Sequence, residues 1–213
     1  SPRRSGCHRA AGVASAIMHL TTRRSAEVRA EELLTELLRS QGWDTRRPPA
    51  GDLLRQHEYR AHTAIAERLL SASKSGAGHG VPEAVLVDRA TVAPLAVIEA
   101  KGAARDIDAA ISEAQAYAEA LHVDSWRPLA IGIAGTTDEE FELRVAKRAG
   151  RAWRLVSYDG NPISWIPTRA DLDRLAVPNG PTEIRPTIPP LEVLAARADE
   201  INAHVCYQRV NRS

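Results

Sequence analysis

A chain of 213 residues, 44% apolar and 26% charged, has enough material to bury one core of ordinary domain size. No stretch approaches the roughly 18 consecutive apolar residues of a membrane span, so a soluble, cytoplasmic protein without a membrane partner is expected. The net charge of +1 excludes a globally basic nucleic-acid binder, and any contact with DNA would have to come from a local patch.

The first 24 residues combine arginines with a short small-residue run that ends at His19, too short an apolar centre for a signal peptide. Met18 is the sole methionine; residues 1–17 read as an upstream extension, and residues 1–24 as a poorly ordered tail. Cys7 in this tail and Cys206 near the other end make neither a disulfide framework nor a zinc site, and read as two unpaired thiols in a reducing compartment.

From Ser25, an N-cap candidate, Ala26, Ala30, Leu33, Leu34, Leu37 and Leu38 recur at helical spacing until Gly42 stops the run. Glu32 and Glu36 fall on the outer face of that helix, whereas Glu27 and Glu31 fall on or beside the leucine stripe. The second half of "LLRQHEYRAHTAIAERLLSASKSGAGHG" reads as another helix, closed by a Ser/Gly-rich turn.

"EAVLVD" and "PLAVIEA" are two short β-type runs separated by "RATVA", the pattern of a hairpin. Asp106 is placed to cap the next helix, whose apolar positions are Ile107, Ile111, Ala114, Ala118 and Leu121. "PLAIGIAG" is a buried strand, and two or three more strands follow up to Pro167. Residues 25–167 are therefore expected to form an α/β domain with a central mixed β-sheet flanked by helices. Residues 168–213 read as a proline-rich linker and a polar helix from Leu191.

The apolar run Leu95 to Ile98 ends in Glu99, Ala100 and Lys101, two opposite charges on one face of a strand. The lysine is conspicuous because the chain has only Lys74, Lys101 and Lys147 among 28 basic residues; a compact ammonium is not interchangeable with a guanidinium. Glu83 opens the preceding strand, and hairpin pairing would bring Glu83, Glu99 and Lys101 to one sheet edge. Two carboxylates can hold a hard divalent cation, and a lysine beside them can orient an attacking water and stabilise developing charge.

With the flanking helices "VRAEELLTELLRSQGWD" and "AAISEAQAYAEAL", the stretch "VPEAVLVDRATVAPLAVIEAKG" resembles the N-terminal nuclease domain of type I restriction enzyme R subunits. That domain is a member of the PD-(D/E)XK superfamily, also found fused to N-6 adenine DNA methylases. The resemblance implies a restriction-endonuclease-like fold and hydrolysis of double-stranded DNA in a restriction-modification or phage-defence system. It further implies a Mg2+ cofactor, with Mn2+ as substitute, and a methylase or translocase/specificity partner. Carried over by residue, Glu99 and Glu83 are the metal ligands and Lys101 the catalytic lysine. A first-helix glutamate joins them, Glu27 in first place and Glu31 in second.

Two positions depart from the pattern. Glu83 stands where the family usually has aspartate, and Glu113 stands four residues before Tyr117 where many relatives carry glutamine, with Gln115 on another flank. A catalytically inactive DNA-binding or docking module is therefore a second expectation. A third, an unrelated α/β protein with a structural Glu–Lys pair, would leave Glu83 far from Glu99. His57 and His62 are five apart and do not stack as metal ligands on a helix. Trp43, Trp126, Trp153 and Trp165 are expected in the core, and Arg46, Arg47, Arg60 and Arg105 are weak candidates for phosphate contacts.

Overall fold

The structure is a computed structural model that describes residues 28–56, 58–72, 81–136, 140–178 and 180–184. The N-terminal tail with Cys7, the cap residue Ser25, Glu27, His57, the C-terminal helix expected from Leu191 and Cys206 all lie outside the described residues.

Six strands, β1 (Leu53–Arg55), β2 (Ala84–Val87), β3 (Pro94–Lys101), β4 (Leu129–Ala134), β5 (Glu142–Ala149) and β6 (Ala152–Leu155), lie side by side in sequence order. All neighbouring pairs are antiparallel except β3 and β4, which run parallel. A parallel pair needs a crossover, and helix α3 (Ile107–Leu121) supplies it. The protein is thus mixed α/β, a six-stranded mixed sheet flanked by helices. A two-stranded ribbon, β7 (Ser157–Tyr158) with β8 (Asn161–Pro162), follows.

Both faces of the sheet are covered, because successive side chains of a strand point to opposite sides. On β3, Ala96 and Ile98 face one core with Leu33, Leu34 and Leu38 of α1, the helix over residues 28–40. Val97 faces the other core, packed by Ile65 and Leu69 of α2 (Thr63–Leu69) and by Ile111, Ala114 and Leu121 of α3. Gly132 of β4 allows α3 to approach closely: a Cβ there would lie 2.6 Å from the backbone N of Ile111.

The strand pair expected from "EAVLVD" and "PLAVIEA" is an antiparallel hairpin. In the turn, the Asp88 carboxylate accepts from the backbone N–H groups of Ala90 and Thr91 at 3.1 and 2.9 Å. Asp106 does occupy the N-cap position of α3, but it makes no side-chain cap bond. A 3-10 turn over Ala104–Asp106 runs directly into the helix and gives it a different entry.

The linker expected from residue 168 begins too early. Thr168 starts a capping box with Asp171, and helix α4 (Arg169–Leu175) buries Leu172 and Leu175 in the same core as α1. Further on, Ile184 is buried and its N–H bonds Ser157 O at 2.8 Å, while Lys147 donates to the carbonyls of Val177, Gly180 and Pro181. Residues 168–184 therefore belong to the packed domain. Trp43 closes the arrangement by donating from Nε1 to Pro167 O at 2.9 Å. As expected for core residues, it is buried, and Trp126, Trp153 and Trp165 are half-buried against the two cores.

Candidate active site

The β2–β3 register pairs Ala84 with Ile98, so one residue further along the same ladder Glu83 stands opposite Glu99. Directly opposed residues have Cβ atoms about 5 Å apart. The backbone N–H of Glu83 donates to Glu99 Oε1 at 3.3 Å, which fixes that carboxylate at the mouth of the strand pair. Glu99 is not the last residue of its strand: β3 continues through Lys101. Like charges directly across a ladder are ordinarily destabilising, and Glu99 is only 4% exposed.

Lys101 lies two residues on, facing the same side. Its Nζ is 3.6 Å from Glu99 Oε2 and 2.5 Å from Oε2 of Glu113 on α3. The position at which relatives of the resembled family carry glutamine thus holds a second carboxylate that competes for the lysine. Tyr117, one turn after Glu113, is buried beneath the site with Tyr59. Burial pushes the Tyr59 phenol up, and Tyr117 and Glu99 push it further against the pull of Arg60. Gln115 lies half-buried on another side of α3.

Glu31, the second choice among first-helix acids, reaches Glu83 from the α1 layer at the end of β2; Glu27, the first choice, lies outside the described residues. The Glu83 carboxyl is pushed up chiefly by burial and next by the negative charge of Glu31, whose hydrogen-bonding contact adds to the rise. Gln56 and Lys101 pull the other way. Gln56 Nε2 donates to Glu83 Oε2 at 2.9 Å. The sequence reading missed Gln56. It sits one residue past the three-residue β1, where the β1–β2 register sets it opposite Glu83, and neither periodicity nor motif marks so short a strand.

The donor set suits a hard cation. Glu83 and Glu99 held side by side, with Glu31 close to Glu83, gather more negative charge than Lys101 alone offsets, and a divalent ion would relieve it. Among the described residues no group of three or more His, Cys, Asp or Glu side chains is placed to hold a metal ion. Magnesium sites often have only one or two protein carboxylates and are completed by water and phosphate oxygens.

The other candidates fall elsewhere. His62 is the half-buried N-cap residue of α2, without a side-chain cap bond. Arg46 is engaged by Asp44, Arg105 lies 4.0 Å from Asp106, and Arg47 and Arg60 are exposed. Among the described residues no helix is long and apolar enough to cross a membrane. Comparison with known proteins finds no matching family model, no matching curated protein and no matching solved structure.

Proposed function

We propose that this chain is a magnesium-dependent endonuclease domain of restriction-endonuclease-like fold. It hydrolyses phosphodiesters of double-stranded DNA in a restriction-modification or phage-defence system, alongside a methylase or translocase/specificity partner. The observation that carries this reading is the meeting of Glu83 and Glu99 across one strand pair, with Lys101 on the same face.

Glu83 and Glu99 are the residues that would hold Mg2+, or Mn2+ in its place, with Glu31 beside them. When bound, the ion polarises a phosphoryl oxygen and lowers the pKa of a bound water. Lys101 orients the attacking water and meets the negative charge that develops at phosphorus. Gln56 and the Glu83 backbone N–H hold the two carboxylates in place. Buried Tyr59 and Tyr117 form the dry floor under Glu99.

A second reading has its own observation. The 2.5 Å contact with Glu113 ties up the Lys101 ammonium, as in a DNA-binding or docking module that keeps the fold without turnover. Incubation of the full chain with plasmid DNA and Mg2+ or Mn2+ separates the two. Metal-dependent cutting that Lys101→Ala removes is the expected result; intact plasmid in both metals, with DNA still bound, selects the docking module.

A further inference from the structure

At the opposite end of the sheet, four basic residues line one open cleft of about 300 Å³: His122, Arg127, Lys147 and Arg148. They come from three places. His122 is the C-cap of α3, Arg127 lies in the loop before β4, and Lys147 and Arg148 are on β5. Leu129, at the start of β4, forms part of the wall. Glu99 pairs with Gly132, three residues along that strand, so the Leu129 wall of the cleft is about 10 Å along the strand from the level of the carboxylates at ~3.3 Å per residue.

The charges in the cleft are not balanced. Lys147 is buried, and its partners are three neutral carbonyls, of Val177, Gly180 and Pro181. Arg148 Nε lies 2.9 Å from Glu119 Oε2, yet this Nε is buried without an aligned hydrogen-bond partner among the described residues. His122 Nδ1 is in the same condition. Arg127 forms no ion pair among the described residues, and its charge pulls down the pKa of both Lys147 and His122. Among the described residues, Glu119, engaged with Arg148, and Asp124 beside His122 stand against these cations.

We propose that this cleft binds a phosphate group, held by Arg127 and Arg148 between His122 and the end of β5. Planar guanidinium groups match phosphate oxygens through paired N–H donors. The anion supplies the negative charge that the cleft lacks. It also reverses the environment of His122, whose pKa is held down by burial and by Arg148 and Arg127 against the opposite pull of Glu119 and Asp124. The phosphate can come from a nucleic-acid backbone or from a free mononucleotide.

The test titrates the full chain with inorganic phosphate while following the imidazole resonances of His122 by NMR. Saturable binding is expected, with the His122 pKa rising by about one unit in the bound form. Arg127→Gln, which breaks no ion pair among the described residues, should weaken binding about tenfold. Non-saturable shifts, or equal affinity in Arg127→Gln, overturn the proposal. Competition then assigns the source: displacement by a short DNA duplex identifies a backbone phosphate, and displacement by a mononucleotide but not by duplex identifies a free one. Phosphate that neither displaces is an adventitious ion only and overturns the site. Glu99→Gln should leave phosphate affinity unchanged, so failure of the nuclease reading and failure of this one are told apart.

Discussion

The Lys101 ammonium lies 2.5 Å from Glu113 and 3.6 Å from Glu99, so the nearer of its two partners is the one on the helix. A lysine shared in this way is positioned but restrained, and on the nuclease reading its freedom to serve an incoming phosphate would depend on which carboxylate wins.

Replacing the helix partner should shift that balance. Glu113→Gln keeps the side-chain shape, removes the competing charge and restores the glutamine–tyrosine spacing, so plasmid cleavage should rise several-fold, as for loss of a half-exposed ion pair worth about 1 kcal/mol. Gel assays at fixed metal concentration measure it. An unchanged or slower rate removes the idea that Glu113 restrains the lysine.

Lys101 itself should act in the transition state. Lys101→Ala is expected to slow cleavage by roughly 100-fold or more while DNA affinity stays largely intact. Lys101→Arg should not restore it, because a guanidinium has another shape and does not give up its proton near neutrality. Parent-like cutting by Lys101→Ala would make the Glu99–Lys101 pair a structural contact.

Stability should record the crowding of Glu83. Its folded pKa is raised above the ordinary 4.5, so between the two values the folded state holds more protons than the unfolded state, and stability falls as pH rises through that window. With a chelator present, Glu83→Gln should be more stable than the parent at pH 7, the advantage vanishing below pH 4.5. Urea titrations at several pH values read this directly. A parent that gains stability over the same window contradicts the charge arrangement around Glu83.

Gly132 should tolerate no side chain. A methyl group there meets the α3 backbone at Ile111, with no flexible side chain to yield, and Gly132→Ala should cost about 1–3 kcal/mol in urea unfolding. A neutral result would mean that α3 stands further from β4 than described.

Leu172→Ala checks the extent of the domain. Its side chain is 1% exposed, so truncation should cost about 2–5 kcal/mol. A loss near zero would return residues 168–184 to the status of a linker.

The parts of the fold that the sequence revealed were those with strong local patterns. Val97, Glu99 and Lys101 share a face because the strand period is two, and the hairpin followed from two apolar runs around a turn. The contact of Glu31 with Glu83 was not legible, because a leucine stripe alone does not say where α1 sits on the sheet. Helix α4 was hidden for another reason. "RADLDRL" has two buried leucines among charges and sits in a proline-rich context, and its burial depends on a core built from distant segments. Gln56 owes its place wholly to tertiary pairing.

Because the six strands stand in the order in which they occur along the chain, the pairs β2–β3, β4–β5 and β5–β6 can each zip up from a short connection. The β1–β2 and β3–β4 pairs close longer stretches, which carry α2 and α3. Low sequence separation between paired strands lowers the loop-closure entropy of assembly. A hydrogen bond of far greater span, Trp43 on Pro167 at a separation of 124 residues, locks the two flanking segments together. The three closely linked pairs thus have the shortest loops to close, and the two joins that carry α2 and α3 have longer ones.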